Sequence, residues 1–196
     1  LAAGGLYETI GAPQCAFATY GNGILNNGSH LIDEIRLLVG EVRSVRALTP
    51  GVRNDRLSLP EDLQLQFVLH LEGGCTVLVS PLDCSHYREI SLDVWGEVGR
   101  LEILQEGLRL YVTSRGPNRG LDGAEELVSE RRNAIQAGAS RALCDLYANL
   151  AAAIEGSATL WSSGESAFRS EEVIRAILTS ADSGCDRVQV SNPAGP

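Results

Sequence analysis

Residues 20–40 read Y-G-N-G-I-L-N-N-G-S-H-L-I-D-E-I-R-L-L-V-G, which is the most informative segment of the chain. A turn rich in glycine and asparagine leads into an amphipathic helix, whose apolar positions recur at helical spacing: Leu31, Ile35, Leu38 and Val39. Ser29 or Asn27 is predicted to cap the start of this helix, because short polar side chains satisfy the free N–H groups there. Gly40 is predicted to end the helix in a left-handed conformation.

His30 lies in the first turn of the predicted helix, and Asn26 precedes it by four residues. Two polar side chains at that spacing can point the same way from the start of a helix. An imidazole exchanges protons readily near neutral pH, and an amide can orient a hydroxyl group but carries no charge. The pair is therefore a candidate catalytic site, with a purely structural histidine as the alternative.

Length, charge and amino-acid composition exclude several classes of function. The chain has 196 residues, enough for one domain with a core, and its net charge of −9 argues against binding to nucleic acid. Because no apolar run of about 18 uncharged residues is present, we expect no membrane-spanning helix and no membrane partner. All 16 basic residues are arginine, so this chain offers no lysine for acid–base or Schiff-base chemistry.

The five cysteines are scattered at positions 15, 75, 84, 144 and 185 and form no C-x-x-C motif. This pattern favours free thiols in a reducing cytoplasm. Cys84 and His86 are close in sequence, but no second pair of ligands accompanies them, so we predict no metal site.

Apolar periodicity predicts strands in the middle of the chain and helices on either side of them. We expect strands at residues 13–20, 41–48, 63–71, 76–80, 90–95, 101–103, 108–112 and 188–190, and helices ending before 12 and spanning 29–39, 143–154 and 173–181. The third helix is expected to be capped near Ser140 and to end at Gly156. Residues 115–122 are predicted to form a loop and residues 191–196 a frayed tail. This order indicates an α+β layer fold rather than alternating βαβ units.

Asn26 and the run Gly28-Ser29-His30-Leu31-Ile32-Asp33 resemble the start of the C-terminal domain in the glucose–fructose oxidoreductase, inositol dehydrogenase and rhizopine-catabolism (Gfo/Idh/MocA) family. Further segments are similar to that domain in order and spacing: 8–13, 96–103, 146–156 and 171–184. The resemblance implies one α+β domain over residues 1–190, with an open, mostly antiparallel mixed sheet and helices packed on one face, as in dihydrodipicolinate reductase-like C-terminal domains. It also implies self-association, at least into a dimer, through the exposed face of the sheet.

The family's parent fold also contains an N-terminal Rossmann domain, which has a G-x-G-x-x-G loop and a catalytic lysine, and we find neither in this sequence. Gly21-Asn22-Gly23 is predicted to be a turn rather than a dinucleotide loop, because Asn26 stands where the third glycine is needed. The resemblance thus implies that this chain is the C-terminal half of an NAD- or NADP-dependent oxidoreductase of a sugar or cyclitol. Alone it is expected to bind no cofactor and to be inactive.

The resemblance assigns the substrate proton to His30, and it places Asn26 where many relatives have an aspartate. Hydrogen bonds to a polyol or sugar-like substrate are predicted for three more residues: Asn22, Asn27 and Tyr20. Asparagines beside glycines also serve turns and caps, so that alternative stays open. Asp33 is a further candidate substrate ligand, or else a carboxylate that stabilises the helix dipole. A non-catalytic binding protein and a structural dimerisation domain are the competing functions.

Overall fold

The computed structural model describes residues 3–191, without the side chains of residues 3, 4, 6 and 7. Most of the tail predicted at 191–196 therefore lies outside the described residues. The described residues form four α-helices: α1 (Ala3–Ile10), α2 (Ser29–Leu38), α3 (Ala142–Ile154) and α4 (Gly164–Asp182). The strands are β1 (Pro13–Tyr20), β2 (Val42–Ala47), β3 (Phe67–Leu71), β4 (Thr76–Pro81), β5 (Ser91–Gly96), β6 (Gly99–Leu104), β7 (Arg109–Pro117), β8 (Glu125–Ile135) and β9 (Val188–Gln189).

The strands of the described chain form one sheet in the order β8-β7-β6-β5-β1-β4-β3-β2-β9. Strands β1 and β4 are parallel, and every other neighbouring pair is antiparallel. Four of the antiparallel pairs, β3–β4, β5–β6, β6–β7 and β7–β8, join consecutive strands, and a direct return of the chain makes such neighbours run in opposite directions. The predicted open, mostly antiparallel mixed sheet is confirmed.

One face of the sheet carries the core. On β1, Ala16, Ala18 and Tyr20 are buried, whereas Phe17 points to the opposite face and is 50% exposed. The buried face packs against α2 and α4, whose apolar stripes include Ile32, Ile35, Val173 and Ile177. Burial of each such side chain contributes about 1.5–3 kcal/mol. Helices α2 and α4 therefore cover one side of the sheet, as predicted.

The end of the sheet differs from the sequence prediction. Residues 115–122 were expected to form a loop, but β7 continues to Pro117 and only the following turn is irregular. The chain then returns as β8, which pairs with β7 across a register shift between Thr113 and Arg115. This strand is polar and largely exposed, so it shows no alternation of buried apolar residues. Strand β8 is held in the sheet by its hydrogen bonds to β7, and such bonds cannot be predicted from the sequence pattern of β8 alone.

One predicted strand begins later than expected, and one predicted helix has different surroundings. The strand expected at 63–71 begins at Phe67, because Asp62 and the residues after it are held by loop contacts. Helix α3 forms as predicted and is followed by Gly156 at φ +75°, but a 3₁₀ turn containing Ser140 precedes it and no side chain caps it. Its apolar stripe is mostly exposed: Leu143, Leu146, Tyr147, Leu150 and Ile154.

Helix α4 begins with a true cap, since the hydroxyl of Ser163 accepts a hydrogen bond from the Ser166 N–H at 3.2 Å. It ends near Gly184, whose φ of +78° turns the chain toward β9. None of the helices within residues 3–191 is both long enough and apolar enough to cross a bilayer.

Candidate functional site

The chain enters α2 through a π-helical turn, Gly23–Gly28. The predicted capping of α2 by Ser29 or Asn27 is wrong, because Gly28 already has helical angles (φ −61°, ψ −37°) and no side chain caps the helix. The hydroxyl of Ser29 instead donates to the carbonyl of Asn26 at 2.5 Å. Gly40 follows the end of α2 with a positive φ of +142°, in the range that favours glycine, as predicted.

A buried carboxylate holds the π-helical turn. Asp62 is 1% exposed, and its side-chain oxygens accept the backbone N–H groups of Leu25 at 2.9 Å and Asn26 at 3.1 Å. The N–H of Leu63 adds a third bond at 2.7 Å. A Cβ atom on Gly23 would lie only 2.0 Å from Asp62 Oδ2, so only glycine fits there. Short π-helical segments are frequent at functional sites, and this one sets the position of Asn26.

A second contact joins the same turn to the loop before β3. Asn22 adopts left-handed angles (φ 54°, ψ 32°), and its amide nitrogen donates to the Ser58 hydroxyl at 2.9 Å. In return, the Ser58 N–H donates to the amide oxygen of Asn22 at 2.9 Å. The pair brings Ser58 to the edge of the site, although 36 residues separate the two in sequence.

These elements surround a cavity of about 560 Å³ at the start of α2. Its walls are mainly polar and are formed by Asn22, Asn26, Asn27, His30, Leu31, Glu34, Ser58, Arg88, Ile90 and Glu106. The structure thus brings Asn26 and His30 to one cavity. His30 is exposed to it, and Asn27 is 6% exposed beside it. A concave, polar site with an accessible imidazole can bind a hydroxylated small molecule and exchange a proton with it.

Four residues of this cavity escaped the sequence analysis. Glu34 follows His30 by one helical turn, a spacing that the sequence alone could have revealed. Burial raises the pKa of the Glu34 carboxyl above its ordinary value. Ser58, Arg88 and Glu106 come from distant loops, and no local pattern signals their meeting at this place.

Two predicted substrate ligands do not reach the cavity. Tyr20 is fully buried, and its hydroxyl donates to the Leu65 carbonyl at 2.8 Å and accepts the Leu65 N–H at 3.1 Å. Burial raises the pKa of the Tyr20 phenol, so the phenol stays neutral. The prediction that Tyr20 binds substrate is wrong because the core strand β1 turns it inward.

Asp33 faces α4 instead of the cavity. Its carboxylate accepts the Ser170 hydroxyl at 2.9 Å and Nη1 of Arg36 at 3.3 Å. Arg36 is 8% exposed and also binds Glu41 through two contacts of 2.9 Å. Asp33 lies beyond the first turn of α2, so the alternative that it stabilises the helix dipole is wrong. It joins α2 to α4, but it is also exposed and lines a neighbouring cavity together with His30, so its role in substrate binding stays a prediction.

Solved structures of several oxidoreductases have the same fold as this chain. An NAD binding oxidoreductase from Klebsiella pneumoniae superposes with a TM-score of 0.70 at 16% identity, over 94% of this chain and 60% of that one. Levoglucosan dehydrogenase in complex with NADH and L-sorbose gives 0.72 at 16% identity, over 98% and 62%. The WlbA dehydrogenase from Bordetella pertussis, in complex with NADH and UDP-GlcNAcA, gives 0.65 at 15% identity, over 94% and 57%. The chain thus spans about 60% of the length of these proteins.

A search of curated protein sequences found no match. Residues 20–190, however, match the profile of a family described as the oxidoreductase family, C-terminal alpha/beta domain. The match begins at Tyr20, the last residue of β1, and covers the π-helical turn, α2 and every later strand of the sheet. The chain therefore belongs to the Gfo/Idh/MocA oxidoreductase family and carries its C-terminal alpha/beta domain.

Proposed function

We propose that this chain is the substrate-binding and subunit-association domain of an NAD(P)-dependent oxidoreductase. Its substrate is a hydroxyl group, or the matching ketone, on a sugar, cyclitol or sugar derivative. The observation that carries the proposal is an exposed imidazole, His30, on a cavity rich in amide side chains. Solved structures of the same fold contain L-sorbose in one case and UDP-GlcNAcA in another.

In this proposal His30 takes the proton of the substrate hydroxyl as the C–H bond is broken, and it returns that proton when the ketone is reduced. The amide of Asn26 lines the same cavity and can hydrogen-bond a neighbouring hydroxyl. It has no charge, so it orients the substrate without accepting a proton. Asn22 and Asn27 complete the amide wall, and the backbone bonds from Asp62 hold that wall in position.

A nicotinamide cofactor supplies the hydride chemistry, but the glycine-rich turn at residues 21–23 does not fit its pyrophosphate. The turn at Gly21-Asn22-Gly23 packs against the carboxylate of Asp62, and a pyrophosphate there would meet a negative charge at close range. We therefore assign cofactor binding to another part of the parent protein. On this assignment the 196-residue chain alone is inactive.

Self-association belongs to the same proposal and uses the face of the sheet that no helix covers. Phe17 is half exposed there, and the guanidinium of Arg100 lies 4.6 Å from the centre of the Trp95 ring. A second subunit packed on this face would cover the exposed ring of Phe17 and remove its apolar surface from water.

The test is turnover by the full-length parent protein with sugars, cyclitols and nucleotide sugars and with both nicotinamides. We expect His30→Ala to lower kcat/KM at least ~10²-fold, the usual contribution of a general acid–base group. His86→Ala is the matched control, since His86 is an exposed loop residue 3.8 Å from Asp83. Absence of both turnover and nicotinamide binding in the parent would leave a non-catalytic binding or dimerisation domain.

A further inference from the structure

We infer that Glu34 is a positioning residue that acts through His30: it accepts the substrate proton from the imidazole and passes it to a second cavity beside the first. The inference rests on the proposed function and adds to it the path by which the proton leaves the substrate cavity. It is based on which residues the two cavities share.

The second cavity has a volume of about 380 Å³ and a largely apolar lining that includes Leu38, Ile103 and Leu110. Among the described residues, only His30 and Glu34 line both this cavity and the one of about 560 Å³. Both side chains are ionisable. The boundary between the two cavities is therefore formed by two groups that can exchange protons.

The positions of these two residues on α2 allow such an exchange. They are four residues apart, so they lie on the same side of the helix with their Cβ atoms about 5–6 Å apart. His30 is exposed, whereas Glu34 is half-buried. Side chains at this spacing can meet directly or through one bridging water.

Glu34 is also the carboxylate that the fold leaves free. Of the described carboxylates that line either cavity, Asp33 accepts bonds from Arg36 and from Ser170, and Glu106 accepts bonds from Arg88. Within residues 3–191, Glu34 makes no side-chain hydrogen bond or salt bridge, and burial alone shifts its pKa. It therefore has no competing partner for the proton of His30 in the part of the chain that the structure describes.

The surroundings of Glu34 make it a suitable proton acceptor. The ionisable groups that line its two cavities are His30 and Asp33 on α2, Arg88 in the loop before β5, and Glu106 in the turn after β6. Burial raises the pKa of the Glu34 carboxyl above its ordinary value and thus brings it closer to that of an imidazole. Proton transfer is more efficient between groups whose pKa values are close.

During substrate oxidation, the hydroxyl proton moves to one nitrogen of His30, and the imidazolium gives the proton on its other nitrogen to the Glu34 carboxylate. The resulting carboxylic acid releases that proton to water in the second cavity. The electron pair of the broken C–H bond leaves with the hydride to the nicotinamide, so each turnover transfers one hydride to the cofactor and one proton to water. Ketone reduction follows the same path in reverse.

The test measures oxidation at pH 7 by the full-length parent protein and its Glu34→Gln variant. An amide cannot accept the proton, so we expect kcat to fall at least about tenfold while KM changes less than about twofold. Imidazole added as a buffer can enter a cavity of about 380 Å³ and accept the proton there. It should therefore restore about half of the lost kcat in Glu34→Gln and leave the wild-type rate unchanged.

Glu34→Asp keeps a carboxylate and should retain more kcat than Glu34→Gln. Glu155→Gln is the matched control, because Glu155 is an exposed residue at the end of α3, and it should leave kcat unchanged with or without imidazole. A loss of less than tenfold in Glu34→Gln, or a loss that imidazole does not restore, would overturn the relay while leaving the oxidoreductase function intact. Absence of turnover in the wild-type parent would reject the proposed function and the relay with it.

Discussion

Oδ2 of Asp62 lies 3.1 Å from the backbone nitrogen of Asn26, and the two residues are 36 positions apart in sequence. The contact joins the loop before β3 to the π-helical turn before α2. Because the carboxylate is 1% exposed, water cannot replace its bonds when it is removed. Asp62 thus determines where the cavity-lining amide of Asn26 lies, and with it the entry to the helix that carries His30.

Asp62→Ala is expected to lower the free energy of unfolding by about 2–4 kcal/mol, because it leaves buried N–H groups without acceptors. Urea denaturation of wild type and variant would measure this difference. Asp55→Ala, an exposed change in the same loop, should have an effect below about 0.5 kcal/mol. Equal stability of the Asp62→Ala and Asp55→Ala variants would show that the carboxylate does not hold the turn.

Gly23→Ala should be strongly destabilising, by more than about 2 kcal/mol, for two reasons. The new Cβ would lie 2.0 Å from Asp62 Oδ2, and φ at this position is +87°, where a side chain is strained. Gly73→Ala provides the control, since its Cβ would have no neighbour within 4 Å and its φ is not in the positive range. Melting temperatures of the two variants would distinguish the sites, and similar values would contradict the packing at Gly23.

Glu34 should make the stability of the protein depend on pH. Its pKa is raised by burial in the folded state, so its contribution is fully present below the unfolded pKa of about 4.3 and is lost as pH rises through the folded pKa. Ionised Glu34 therefore weakens the fold at neutral pH. Glu34→Gln is expected to be more stable than wild type at pH 7 and to lose that advantage near pH 4.

Denaturation of both proteins at pH 4 and pH 7 measures this difference. Glu155→Gln, at an exposed position, should show no such pH-dependent gain. A Glu34→Gln protein that is less stable than wild type at pH 7 would indicate that the carboxylate has a favourable partner in the fold.

The two apolar helix faces should respond differently to truncation. Ile177 on α4 is fully buried, so Ile177→Ala is expected to cost about 2–5 kcal/mol. Ile154 on α3 is 79% exposed, so Ile154→Ala should cost less than about 0.5 kcal/mol in the isolated chain. A large loss of stability in Ile154→Ala would show that the apolar face of α3 packs against the rest of this chain in solution.

Local pattern was sufficient for much of this fold. The alternation in residues 63–71 predicted a strand, of which the structure forms Phe67–Leu71, and the helical spacing around Leu31 and Ile35 predicted α2. These signals depend on the periods of 2 and 3.6 residues, which require no knowledge of distant partners. The polar strand β8 was missed because it has no buried face and owes its conformation to hydrogen bonds with β7.

The sequence by itself determined that Asn26 and His30 lie one helical turn apart, and both line the same cavity. Only the tertiary structure decided which other residues take part. It turned Tyr20 into the core, directed Asp33 toward α4, and brought Asp62, Ser58, Arg88 and Glu106 to the start of α2. The physical reason is that a helix fixes neighbours three or four residues apart, whereas contacts across loops depend on how the whole chain packs.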